Sequence, residues 1–171
     1  MTLRSTTGCA LGALTMLMIA CTPGPPAPPP PPPDTRPADI AAIKTDEANW
    51  VKDIAAHDLD KFVSHYTDNA TAMGAGFPIM KGKDAIREGL KGFVTDPNVS
   101  MTFAADWVDV ARSGDIGYVQ GRYEMTMVDP KTKKVTIEHG AYVTVYKKQD
   151  NGAWKASEDI ITSVAAPEVK K

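Results

Sequence analysis

Six consecutive prolines, Pro28–Pro33, constrain this chain more than any other feature. Proline lacks a backbone N–H and holds φ at about −65°, so such a run joins neither a helix interior nor a sheet ladder. It favours an extended polyproline II form. The tract runs from Thr22 to Arg36, and a packed core has to be built from the residues beyond it. At about 3.1 Å per residue it spans roughly 45 Å. A tract in this position reads as a spacer; a ligand for a proline-recognising partner is the sharper alternative.

What precedes the spacer explains its use. Arg4 supplies a positive start, and Ala10–Ala20 is a short apolar run ending in Met18-Ile19-Ala20-Cys21. The run is too short for a membrane-spanning anchor and suits a signal-peptide core. Its end resembles the lipobox of bacterial lipoproteins, in which the cysteine is acylated and becomes the mature N-terminus. An ordinary secretory signal with an incidental cysteine is the alternative. The expected organisation is a signal peptide over 1–20, a lipidated Cys21 with its tether over 21–37, a domain over 38–167 and a tail over 168–171. The resemblance implies multiple acyl chains of the palmitate type, giving stable attachment where one chain is marginal. Thr22 in place of an aspartate favours the outer membrane, facing the periplasm. Cys9 and Cys21 are the only cysteines, so the mature domain is expected to have no disulfide, thiolate nucleophile or cysteine-ligated metal.

The formal net charge is −2, and Lys131-Thr132-Lys133-Lys134 is the only basic block. With no basic stripe interleaved with aromatics, nucleic acid is not an expected partner. Ile40, Ile43, Trp50, Val51 and Ile54 recur at helical spacing over 39–56. Asp58 suits the N-cap of a second helix with Leu59, Phe62, Val63 and Tyr66 as its stripe, and a third starts near Lys83 with Ile86, Leu90 and Phe93 inward. Strands are predicted over 101–110, 117–128, 135–147 and 154–164, after short extended pieces near 70–73 and 78–80. Helices followed by a meander indicate an α+β fold. Asn151-Gly152, read as a two-residue hairpin turn, places Thr144 opposite Asp159 and Tyr142 opposite Ile161, on one face.

Several segments in consistent order carry a resemblance. They are Tyr66-Thr67-Asp68-Asn69-Ala70-Thr71, Lys81-Gly82-Lys83-Asp84-Ala85-Ile86, His139-Gly140-Ala141-Tyr142-Val143-Thr144-Val145 and Gly152-Ala153-Trp154-Lys155. The chain resembles the nuclear transport factor 2-like superfamily, in its SnoaL-like branch (domain-of-unknown-function family 4440). The resemblance implies a cone, with a curved antiparallel sheet wrapped around three N-terminal helices and a cavity at the wide end. It also implies a homodimer through the outer sheet face. Ketosteroid isomerase, a relative, uses an aspartate base with a tyrosine and a protonated aspartic acid as oxyanion hole. Those three positions fall on Gly74, Trp50 and near Thr144, so that mechanism is not expected here.

The same comparison turns Trp50, Tyr123, Met125, Tyr142, Thr144, Asp159 and Ile161 toward the cavity. Apolar residues there are either core or ligand contacts. Asp159 is a candidate general acid/base, its pKa raised by desolvation. Equally, it is a structural acceptor for Thr144, Tyr142 or a backbone N–H. His139 is expected to point outward, unless a bulge at Gly140 reverses it. His57, His65 and His139 are dispersed, so no metal site is expected, and no phosphate loop or dinucleotide motif implies a cofactor. Two functions fit: binding of a small, mostly apolar molecule or support of an envelope assembly without catalysis, and a lyase, cyclase or isomerase using Asp159.

Overall fold

The structure is a computed structural model that describes residues 33–170. The signal segment, Cys21 and the tether as far as Pro32 lie outside the described residues. Helix α1 covers Arg36–Ala55, beginning three residues before the expected start. Pro37 sits in its first turn, where no intrahelical N–H is needed, and Lys52 in the last turn complements the helix dipole. The buried stripe of α1 is Asp39, Ile43, Glu47, Trp50 and Ile54. Spacings of three and four put all five on one face, and two of them are acids. Asp39 accepts hydrogen bonds from Lys148 Nζ (2.7 Å) and Trp154 Nε1 (3.2 Å), which pins the start of α1 to the far end of the sheet.

Helix α2, Leu59–Ser64, is capped as its sequence predicts: the Asp58 carboxylate accepts from the backbone N–H of Lys61. It is shorter than its stripe suggested, because Tyr66 already opens strand β1, Tyr66–Gly74. Strand β2 (Met80–Lys81) and helix α3 (Lys83–Val94) follow. Four long strands come next, β3 (Val99–Val110), β4 (Ile116–Val128), β5 (Val135–Lys148) and β6 (Trp154–Ser163). A short β7, Glu168–Lys170, closes the described chain.

The strands form one unclosed, curved sheet in the order β2-β1-β6-β5-β4-β3. The expected antiparallel sheet is corrected to a mixed one, since β1 runs parallel to β6. The direction of β6 is set by its hairpin with β5. It meets β1 only after the chain has passed through α3 and four strands, and a long connection leaves parallel pairing open. Residues 168–170, expected in a tail, pair with Val135–Ile137 of β5. They occupy the edge that β6 leaves vacant, because its pairing with β5 stops at Gly140 and Ser163.

The β5–β6 hairpin reaches the expected pairing by an unexpected route. Thr144 does face Asp159, and Tyr142 does face Ile161. Yet the loop has three residues rather than two. Gln149 and Ala153 close it, a Gly152 N–H to Gln149 carbonyl bond forms the turn, and Gly152 takes φ +82°. This is a type I turn followed by a left-handed residue. It shifts the register by one position, so that Lys148 faces Trp154. An extra residue, Ser157, then restores the register between Val145 and Tyr146, and its Oγ bonds the Val145 carbonyl. A bulge cancels the loop.

Inside the sheet lie the three helices, with α1 against β3 and α3 against β1. The core they share includes Ile43, Ile54, Val63, Ile86, Val119 and Tyr146. Among the described residues, no helix is long and apolar enough to cross a membrane.

Candidate functional site

Between the helices and the inner sheet face is a cavity of about 370 Å³. All six residues expected at a ligand site, Trp50, Tyr123, Tyr142, Thr144, Asp159 and Ile161, line it. All four phenylalanines of the chain line it as well, and so does every methionine among the described residues. Met73, Met80, Met101, Met125 and Met127 come from β1, β2, β3 and β4, so the soft side chains are spread around the wall. Thioether chains are flexible and polarisable, which suits a wall that adapts to what it encloses.

Two glycines let tyrosines lie across the inner sheet face. Gly121 pairs with Tyr142 and Gly140 with Tyr123 across the β4–β5 ladder. A methyl group added at Gly121 or Gly140 would overlap the ring of the partner tyrosine. Each ring therefore lies over its glycine. Gly140 does not host a bulge: the β4–β5 register runs without interruption from Ile116 to Val128. His139 accordingly faces outward, 3.7 Å from Glu124, while Glu138 turns in to the cavity.

The polar floor consists of two carboxyls held by hydroxyl donors. Asp159 accepts from Tyr66 Oη at 2.7 Å and from Thr144 Oγ1 at 3.0 Å. Glu47 accepts from Tyr142 Oη and Tyr146 Oη, each at 2.7 Å. Burial pushes the pKa of Asp159 up, against the opposing pull of its two donors. Burial also raises Glu47, and the nearby Asp159 charge adds to the rise against Tyr142 and Tyr146. Tyr66 and Tyr142 are both held well above an ordinary phenol by burial and by these carboxyls. They remain donors. A third acid, Glu138, accepts from Tyr123 Oη at 2.6 Å, and burial with that bond pushes the Tyr123 phenol up to about 12.

Glu47, Tyr66, Tyr146 and Glu138 escaped the sequence reading. A search for apolar periodicity passes over charged residues, yet Glu47 fills the gap in the series Ile43, Trp50, Ile54. That gap was the available signal. Glu138 shares the inward parity of Tyr142 on β5, and parity alone would have found it.

Nor are the histidines all isolated. His65, at the C-terminus of α2, donates or accepts at both ring nitrogens: Asp46 lies 2.9 Å from Nδ1 and Asp53 2.9 Å from Nε2. Its ring stacks on Trp50, with centroids 5.1 Å apart and planes 15° from parallel. Burial alone would lower the His65 pKa; the two aspartates outweigh it and raise it. The His65 ring covers one face of the indole, while Tyr66 packs edge-on to Trp50 with centroids 4.9 Å apart. No group of three potential ligands disposed to hold a metal occurs among the described residues.

The arrangement can enclose a small apolar molecule and hold or deliver a proton at Asp159 or Glu47. A family model described as a SnoaL-like domain matches residues 48–156. No curated protein matches the chain. Among solved structures, a ketosteroid isomerase-like protein from Erwinia carotovora atroseptica is similar, with TM-score 0.65 and 24% identity over 75% of this chain and 98% of that one. A type 2 hexachlorocyclohexane dehydrochlorinase matches with TM-score 0.67 and 17% identity, covering 78% of this chain and 90% of its own. A nuclear transport factor 2-like protein of cystatin-like fold from Novosphingobium aromaticivorans gives 0.62 and 14%, covering 75% and 84%.

Proposed function

Because the chain belongs to the SnoaL-like domain family, whose fold serves both catalysts and binding modules, we propose that it is an envelope lipoprotein whose domain binds a small, mostly apolar molecule without transforming it. One observation carries the reading: a cavity of about 370 Å³ walled by every phenylalanine of the chain and every described methionine. A volume in this range suits a small organic ligand. Hexachlorocyclohexane, the compound named for one structural neighbour, is of that size and polarity class. Cys21 supplies the acyl anchor, and the proline tract carries the domain away from an outer membrane, into the periplasm.

Native mass spectrometry of the purified full chain tests the reading. A co-purifying molecule lost on Ile161→Trp, which fills the cavity, supports it. A cavity that stays empty and takes up no apolar fluorescent probe contradicts it. Replacing Cys21 by Ser should release the protein from the membrane fraction; unchanged sedimentation with membranes would refute the anchor.

A second reading has its own observation. Two carboxyls with raised pKa, Asp159 and Glu47, reach one cavity, and buried acids tuned toward neutrality suit proton transfer. In that reading Asp159 is the general acid/base of a lyase, cyclase or isomerase. Asp159→Asn separates the two: turnover lost at unchanged ligand affinity identifies an enzyme.

A homodimer through the outer sheet face is also proposed. Trp107 faces Gln120, Gln120 faces Val143, and Val143 faces Ile160, so the four form one row across the sheet. Three of the four are exposed apolar side chains, Trp107 at 59%.

A further inference from the structure

We propose that the molecule held in this cavity is an organic cation, a protonated amine on an apolar body. The inference rests on the binding reading above and names the chemical class of its ligand. Three carboxyls, Glu47, Glu138 and Asp159, line the cavity, and among the described residues no lysine, arginine or histidine does. Cations elsewhere in the fold are engaged with other acids: Lys148 with Asp39, His65 with Asp46 and Asp53, and Arg122 with Asp106.

The donors that hold the cavity carboxyls are neutral hydroxyls. Tyr142 and Tyr146 serve Glu47, Tyr66 and Thr144 serve Asp159, and Tyr123 serves Glu138. They position the oxygens without supplying charge. A carboxylate offers about four acceptor positions; two are filled at Glu47 and two at Asp159, so each retains capacity for a further donor. What the site lacks is positive charge, and an ammonium group brings both charge and N–H donors.

The apolar wall adds a second attraction. Aromatic faces stabilise cations held within about 6 Å, more strongly when water is excluded. Trp50, Phe103 and Tyr142 form a connected ring cluster at the cavity, with centroids 6.0 and 5.7 Å apart. Bulky thioethers and phenyl rings then accommodate the body of the amine. An anionic ligand meets three acids with no counter-charge, and a neutral ligand leaves the buried carboxyls protonated.

Proton balance makes the idea measurable. Burial favours the protonated form of Glu47 and Asp159 in the empty cavity. When an ammonium enters, a carboxyl gives up its proton to solvent and an ion pair forms. Calorimetric titration of the full chain with phenylbutylamine, phenylbutanol and phenylbutyrate compares cation, neutral molecule and anion of one shape. The amine should bind at least about tenfold more tightly than the alcohol, and phenylbutyrate more weakly than both. Near the ordinary carboxyl range, about pH 4 to 4.5, where a raised carboxyl keeps its proton, the amine's heat should vary with the ionisation enthalpy of the buffer, because protons are released, while the alcohol's heat should not.

In Asp159→Asn and Glu47→Gln the amine's advantage over the alcohol should shrink toward equality. The buffer dependence uses the unaltered protein and so stands even if a variant fails to fold. Equal binding of amine and alcohol, with no proton release, overturns the charge inference and leaves the apolar-pocket reading intact. Absence of binding by all three probes overturns the pocket reading itself.

Discussion

Asp159 and Glu47 sit on different elements, one on β6 and one on α1, and each is held by its own pair of hydroxyls, Tyr66 and Thr144 for Asp159, Tyr142 and Tyr146 for Glu47. Each is a carboxyl whose protonated form is favoured in the fold, which fixes the sign of a pH effect. A raised carboxyl stabilises the folded state below the unfolded carboxyl range, about pH 4, and loses that contribution as pH rises through the folded value. The melting temperature of the wild type minus that of Asp159→Asn should therefore fall as pH rises from about 4 toward neutrality. A difference flat across that range would show that folding does not raise the pKa of Asp159. His65 behaves with the same sign in a higher window. Its raised pKa means its contribution is complete below the histidine range and lost as pH climbs through the folded value. The stability gap between wild type and His65→Gln should close on the alkaline side of neutrality, as read by thermal unfolding at stepped pH. Tyr146→Phe removes one of the two donors to Glu47 at nearly constant volume. Hydrogen bonds to a charged or buried acceptor of this kind are worth about 1–3 kcal/mol, and urea unfolding should show a loss of that size.

At the scale of elements, the sheet makes the cavity by leaving side chains out. Gly121 and Gly140 remove the Cβ atoms beneath Tyr142 and Tyr123, and both rings fit only because of it. Gly140→Ala forces the Tyr123 ring aside and breaks its bond to Glu138. Overpacking of this kind costs about 1–3 kcal/mol. Combining it with Tyr123→Leu should recover part of the loss, since the clash is with the ring; additive losses in the double variant would show that the backbone is the obstacle. The β5–β6 hairpin teaches a related point about register. Its face assignment follows from alternation along both strands, and a three-residue loop with a compensating bulge at Ser157 arrives at the same pairing as a two-residue turn. Gly152→Ala, at φ +82°, tests the loop directly. A cost of about 1 kcal/mol is expected for a β-carbon in the left-handed region, and a neutral substitution would contradict the loop geometry.

For the whole molecule, the two sides of the sheet have different roles. The inner face carries tyrosines, acids and the methionine wall; the outer face carries Trp107, Tyr118, Val143 and Ile160 in the open. A monomer that leaves such a row uncovered is prone to self-association. Trp107→Glu should shift a dimer to monomer in sedimentation velocity without altering ligand affinity, and an unchanged mass distribution would remove this face as the contact.

Much of this architecture was legible in the chain. Periodicity found α1 and α3, an aspartate marked the start of α2, and the hairpin register put Tyr142, Thr144, Asp159 and Ile161 on one face; the family resemblance turned that face, with Tyr123, inward. These are local properties, set by side-chain spacing and backbone preference, so a single sequence carries them. The spacer and anchor roles of the proline tract and Cys21 are proposals that rest on the same local kind of signal. Other features depended on segments distant in the chain. Glu47 meets Tyr142 and Tyr146 across 95 and 99 residues, and Tyr66 meets Asp159 across 93. The parallel pairing of β1 with β6 and the clamp of Asp46 and Asp53 on His65 are of the same kind. A buried acid is costly wherever it stands alone, and nothing near Glu47 in the sequence announces its donors. Only the closing of the sheet over α1 supplied them, and with them the charge of the site.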